Sequence, residues 1–128
     1  MDPQLFIAVA VACGLASVAR YGLSLLAAPD RFPWPTIVVN TAGTALLASS
    51  LALYTDGRLG AATFAVLGVG IAGGLTTFSA LATDAARLWR AGTRGSFWRY
   101  LTLTLGCGLA ASWIAWSATV AALASSAP

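Results

Sequence analysis

Apolar residues come in four long runs, 5–28, 32–54, 59–89 and 97–124, parted by short polar connectors. Each run exceeds the ~20 residues that a helix needs to cross ~30 Å of hydrocarbon. None alternates with period two as a barrel strand does, and all are rich in Ala and Leu. Helices are then the spanning solution that leaves no backbone group facing lipid. The connectors APDRFP, YTDGR and RAGTRGS carry turn chemistry, and Pro33 and Pro35 suit a helix start after Asp30. The pattern predicts an all-α integral membrane protein: one domain over 1–128 with four transmembrane helices. The first run is too long for a signal peptide, has no basic start and shows no convincing cleavage site, so it reads as a mature helix.

The third run weakens its own helix. VLGVGIAGGLTTFS places Gly68, Gly70, Gly73 and Gly74 ahead of Thr76, Thr77, Phe78 and Ser79, although each helical Gly costs roughly 1 kcal/mol relative to Ala. Glycine at this density predicts a break near the membrane midplane. The freed N–H and C=O groups cannot face lipid, but they can bind an ion or line a wet path. The competing reading is close helix packing by small residues.

In the second run, Thr36, Asn40, Gly43, Thr44 and Leu47 share one helical face. An unpaired Asn in hydrocarbon costs several kcal/mol, so Asn40 needs a partner. It serves either as interhelical glue or as a donor on a water-lined path. Arg20, late in the first run, reads either as a side chain snorkelling to the interface or as an attractor for anions at a vestibule.

Composition narrows the function. Apolar types make up 59% of the chain and charged types 9%, against about 25% charged in soluble domains. All seven basic residues are Arg, at 20, 31, 58, 87, 90, 94 and 99, and there is no Lys, Glu or His. The net charge of +3 and pI near 9.4 do not call for nucleic acid, because these arginines flank membrane helices and suit lipid head groups. Without His no Ser/His/Asp set can form. Cys13 and Cys107 lack CxxC spacing and read as small packing residues. The chain is therefore not expected to be an enzyme. Asp84, three residues before Arg87, reads as half of a local ion pair rather than as a proton relay.

GGLTTFSA at 73–80 resembles the GGxTTFSTF signature of the Fluc (CrcB) fluoride channels. FPWPTIVVN at 32–40 looks like that family's FPWGTLxxN, GLASVARYGL at 14–23 looks like its glycine-rich first helix, and the spacing from Phe78 to Tyr100 fits its fourth-helix Tyr. The resemblance covers nearly the whole chain, in order. It implies a passive fluoride exporter of the cell membrane, built as an antiparallel, dual-topology dimer with two pores. It also implies a structural Na⁺ at the dimer centre, held by the backbone carbonyls of Gly73 and Thr76. Phe78 would turn its ring edge to fluoride and Asn40 would donate a hydrogen bond. Thr36 would lie near the pore wall, Thr77 and Ser79 would add hydroxyls beside Phe78, and Tyr100 and Thr104 would form a hydroxyl track. The chemistry suits the ion. Hydroxyls rotate to donate, a ring edge is positive, and conduction requires binding weak enough to release.

The chain departs from the family pattern at two positions. The second Phe of the signature is Leu81, and a fourth-helix hydroxyl falls at Gly108, with Ser112 one turn on. Charge also bears on assembly. The side holding both termini carries only Arg58, whereas Arg31, Arg87, Arg90, Arg94 and Arg99 lie on the other, with Arg20 leaning toward it. This bias favours one orientation and a heterodimer with an oppositely oriented paralogue, while a homodimer stays open. A coupled small-molecule exporter would need an acid in the first span, which has none. A purely structural membrane subunit would tolerate loss of Phe78 or Asn40. With one ring missing, conduction is expected to be slower than in a complete family member, and Leu81→Phe is expected to raise fluoride flux in a liposome efflux assay; an unchanged or lower flux would overturn that expectation.

Overall fold

The computed structural model describes residues 2–26 and 32–126. The expected roles of Asp30 as a helix start and of Arg31 in the charge count lie outside these residues. Helix α1 spans Pro3–Leu25, capped by the Asp2 carboxylate, which accepts from Gln4 N at 3.0 Å, with Pro3 in the first turn. Helix α2 spans Trp34–Thr55, with Pro35 in its first turn. A turn through Gly57, at φ +79, leads to α3. Helix α3 is α-helical over Ala61–Phe64, π-helical over Ala65–Ala72 and α-helical again over Gly73–Leu75. Helix α4 spans Phe78–Arg90 and is stopped at Gly92, with φ +72. Helix α5 spans Arg94–Ser125.

Four segments among the described residues are long and apolar enough to cross a membrane: α1, α2, Ala61–Arg90 and α5. The protein is a multi-pass membrane protein, and the third span is interrupted as expected. The interruption falls at Thr76 (φ −74, ψ 148) and Thr77 (φ −151, ψ 119), half way along Ala61–Arg90. Both residues are extended, a conformation that suits β-branched side chains. Thr77 then caps α4, its Oγ1 accepting from Ala80 N at 3.1 Å.

The glycines do not form the break. They sit upstream of it and serve close approach. A Cβ on Gly74 would lie 2.5 Å from Cys13 O and 2.9 Å from Ala16 Cβ, and one on Gly70 would lie 3.0 Å from Ala12 Cβ. In α2, a Cβ on Gly43 would meet Thr76 Cγ2 at 2.5 Å and Ala72 O at 3.1 Å. Small-residue packing and a broken helix are therefore both present, carried by different residues. Helix α1 lies along the π-helical part of α3, α3 packs on α2, and α2 runs against α5. Near the arginine-rich end, Ile37, Ala85, Leu88 and Tyr100 form a buried cluster extended by Phe32, Leu81, Phe97 and Cys107. Phe6, Val11, Leu15 and Val18 on α1, and Leu105, Leu109, Trp113 and Ile114 on α5, are exposed, as helices facing lipid or another protomer require.

Gly74→Ala is expected to lower the thermal midpoint in detergent by several degrees, since overpacking against backbone costs roughly 1–3 kcal/mol. Gly14→Ala, with nothing within 4 Å of its Cβ, should hold or raise the midpoint. Tryptophan fluorescence during heating reads both.

Candidate functional site

A broken helix leaves orphan carbonyls at its end and orphan amides at the next start. At this break some of them are met within the segment and others by neighbouring helices. Ala72 O accepts from Thr76 N at 3.0 Å and from Thr76 Oγ1 at 3.1 Å. Gly74 O accepts from Arg20 Nε at 3.2 Å and from Ser17 Oγ at 3.3 Å, both on α1. Asn40, on α2, pairs with both polar groups of Thr77. Its Oδ1 accepts from Thr77 N at 2.7 Å, and its Nδ2 donates to Thr77 O at 3.3 Å. The partner that sequence chemistry demanded for Asn40 is thus the break itself, and one Nδ2 hydrogen remains available.

Asn40, Thr76, Thr77 and Phe78 line a groove of about 410 Å³, together with Thr44, Leu81, Thr104, Gly108 and Ser112. Phe78 is 81% exposed, so its ring stands free at the open side. Thr77 Oγ1 and Ser79 Oγ lie 3.1 Å apart on an exposed edge. The other hydroxyls rest on carbonyls: Thr104 donates to Tyr100 O at 2.8 Å, Thr44 to Thr41 O at 3.0 Å, and Ser112 to Leu109 O at 3.0 Å. Each can turn its proton into the groove by rotation about one bond. Leu81 stands in the groove near Phe78, and Gly108 leaves a gap in the hydroxyl line that Ser112 follows one turn later.

Thr36 and Tyr100 lie elsewhere. They are 8% and 0% exposed and point at Asp84. Thr36 Oγ1 donates to Asp84 Oδ2 at 2.7 Å, and Tyr100 OH donates to the same oxygen at 3.5 Å. Arg87 Nη2 stands 3.5 Å from Asp84 Oδ1. The local Asp84–Arg87 pair is present, and the same carboxylate also ties α2 and α5 to α4. Thr104, 4% exposed, connects the two regions: it lines the groove and bonds to Tyr100. Arg20 faces the end of α3 and is not among the groove residues. Gly73 is exposed, and Thr76 Oγ1 stands 3.4 Å from Gly73 O. Ser17 is the residue that sequence reasoning misses. Its position three residues before Arg20, on the α1 face that carries Cys13 and Ala16, is the available signal.

The chain matches the family described as CrcB-like protein, Camphor Resistance (CrcB), over residues 7–116. The chain belongs to the CrcB family. It is 36% identical over 107 residues to a fluoride-specific ion channel FluC of Thermus thermophilus, covering 81% of this chain and 86% of that one. It is 32% identical over 120 residues to FluC of Renibacterium salmoninarum, covering 87% and 95%. It is 40% identical over 91 residues to FluC 1 of Leifsonia xyli subsp. xyli, covering 69% and 66%. The CrcB match runs from α1 into α5 and so contains the break, the Asn40 clamp and the groove.

Asn40→Leu strands both the N–H and the C=O of Thr77 in an apolar setting, at roughly 1–3 kcal/mol for each unsatisfied group. The variant is expected to unfold several degrees lower than wild type on heating in detergent. An unchanged midpoint would mean that the clamp contributes nothing to stability.

Proposed function

We propose that this chain forms a passive, fluoride-selective channel of the cell membrane that lowers cytoplasmic fluoride. The observation that carries the reading is the clamped break, which sets the exposed Phe78 ring beside a groove of hydroxyls and one free amide hydrogen. Fluoride is small and tightly hydrated, so a pore has to replace its water with donors. Here these are the hydroxyls of Thr44, Thr77, Ser79, Thr104 and Ser112, the Asn40 amide and the positive rim of the Phe78 ring. Among the described residues no cationic side chain lines the groove, so the ion is held weakly enough to leave. Helix α1 has no acid within its span, which removes the proton-exchanging group that a coupled exporter needs.

A groove open on the Phe78 side calls for a second protomer to close it. In the antiparallel arrangement, each protomer would bring its own break to the centre. A structural Na⁺ there would be held by the Gly73 and Thr76 carbonyls of each. Main-chain oxygens suit a hard cation, and the C-terminal end of α3 concentrates negative partial charge. Ala72 O and Gly74 O already have good donors, whereas Gly73 O has only a long contact. The ion would supply positive charge joining the two helix ends.

Charge bias supports a partner of opposite orientation. Arg87, Arg90, Arg94 and Arg99 lie at one end, with Arg20 leaning toward it, and Arg58, at the other end, is paired with Asp56 at 3.2 Å. Relatives named FluC 1 and FluC 2 fit a pair of family members. Expected in proteoliposomes loaded with fluoride and read by electrode is rapid fluoride efflux with no chloride efflux, lost in Phe78→Ala. Efflux from this chain alone would establish the homodimer; efflux only after adding a second family member would establish the heterodimer. A proton-gradient requirement, or no ion flux in either preparation, would overturn the channel reading.

A further inference from the structure

The Arg20 guanidinium is held on a main-chain oxygen at the end of a helix. Arg20 Nε and Ser17 Oγ both donate to Gly74 O, at 3.2 and 3.3 Å. That carbonyl lies in the last turn of α3, before the chain straightens at Thr76. Two conditions bring the donors within reach. Cys13, Ala16, Ser17 and Arg20 share one face of α1, and Gly74 has no side chain, so the α1 backbone comes close enough that a Cβ would stand 2.5 Å from Cys13 O. A cation at a helix C-terminus is also favoured by the helix dipole.

We infer that Arg20 and Ser17 are positioning residues that fix the break from the α1 side by capping Gly74 O, while Asn40 fixes it from the α2 side through Thr77. Arg20 acts on the break through a directed N–H. The break is then held between two helices, with Thr76 between the two clamps. Loss of the α1 clamp leaves the α3 end free to shift, and Phe78 moves with it. The flux part of the test rests on the fluoride reading; the exchange part does not.

Gln and Met separate donor from charge. Gln places an N–H the same number of bonds from the backbone as Arg Nε, without charge. Met has similar reach with neither donor nor charge. Amide hydrogen exchange in peptides covering 73–80 is measured for wild type, Arg20→Gln and Arg20→Met in detergent. Exchange in Arg20→Met is expected to exceed that in Arg20→Gln by about two- to tenfold, the factor one neutral hydrogen bond supplies. Wild type should be slowest, and fluoride efflux should fall in the same order. Equal exchange in the two variants, whether raised together or both as slow as wild type, would overturn the inference. Wild-type liposomes that pass no fluoride would sink the channel reading and leave the exchange comparison standing. Where Arg20→Met fails to fold, adding Ser17→Ala to Arg20→Gln decides: faster exchange over 73–80 supports the shared cap, and no change overturns it.

Discussion

Two residues in the middle of a membrane span, Thr76 and Thr77, have left helical geometry, and hydrocarbon offers their peptide groups no partner. The structure depends on meeting that demand. Asn40 does most of it, because a carboxamide carries an acceptor and a donor side by side and so matches the N–H and C=O of a single extended residue. An ionised aspartate at the same place could only accept, and so serve half of the pair. The interaction also joins α2 to the third span, beside the close approach of Gly43 to Thr76.

A break of this kind is not a local property. Its carbonyl side is served by α1 and its amide side by α2, so three helices must be packed before it is satisfied. The glycines supply the proximity. Gly74 brings α1 to the end of α3, and Gly43 brings α2 to Thr76. On the far side, Asp84 collects hydroxyls from α2 and α5 and the guanidinium of Arg87. Helix α4 is thereby anchored at its arginine-rich end, while its start at Phe78 stays open. Rigidity at one end and exposure at the other is the combination that the proposed contact of the Phe78 ring with fluoride would use.

The spans were legible because a bilayer demands about 20 apolar residues each time, and the interruption was legible because glycines, threonines and a serine crowd one stretch. Which residues bend was not. Glycine is the generic helix weakener, yet here the glycines are helical and the threonines extended, since contact distance with α1 and α2 claims the glycines first. Asn40's need for a partner followed from burial alone; its partner did not, because residues 40 and 77 meet only through packing. The same holds for Arg20, where chemistry left two roles open and tertiary structure put a main-chain oxygen in reach. Thr36 and Tyr100 illustrate the limit from the other direction. The family resemblance implies a pore wall and a hydroxyl track for them, while their hydroxyls point at Asp84, a contact between three separate helices.

The π-helical stretch Ala65–Ala72 carries a consequence of its own. Such a coil takes up more residues in each turn than an ordinary helix and is rare in folded proteins. Rewinding the same residues into the common form, with no change in length, would turn everything downstream about the helix axis. Phe78 and the threonines would then address a different neighbour. The aim of the signature therefore depends on the wider winding upstream, and a substitution that restored ordinary winding there would disable it without touching the break.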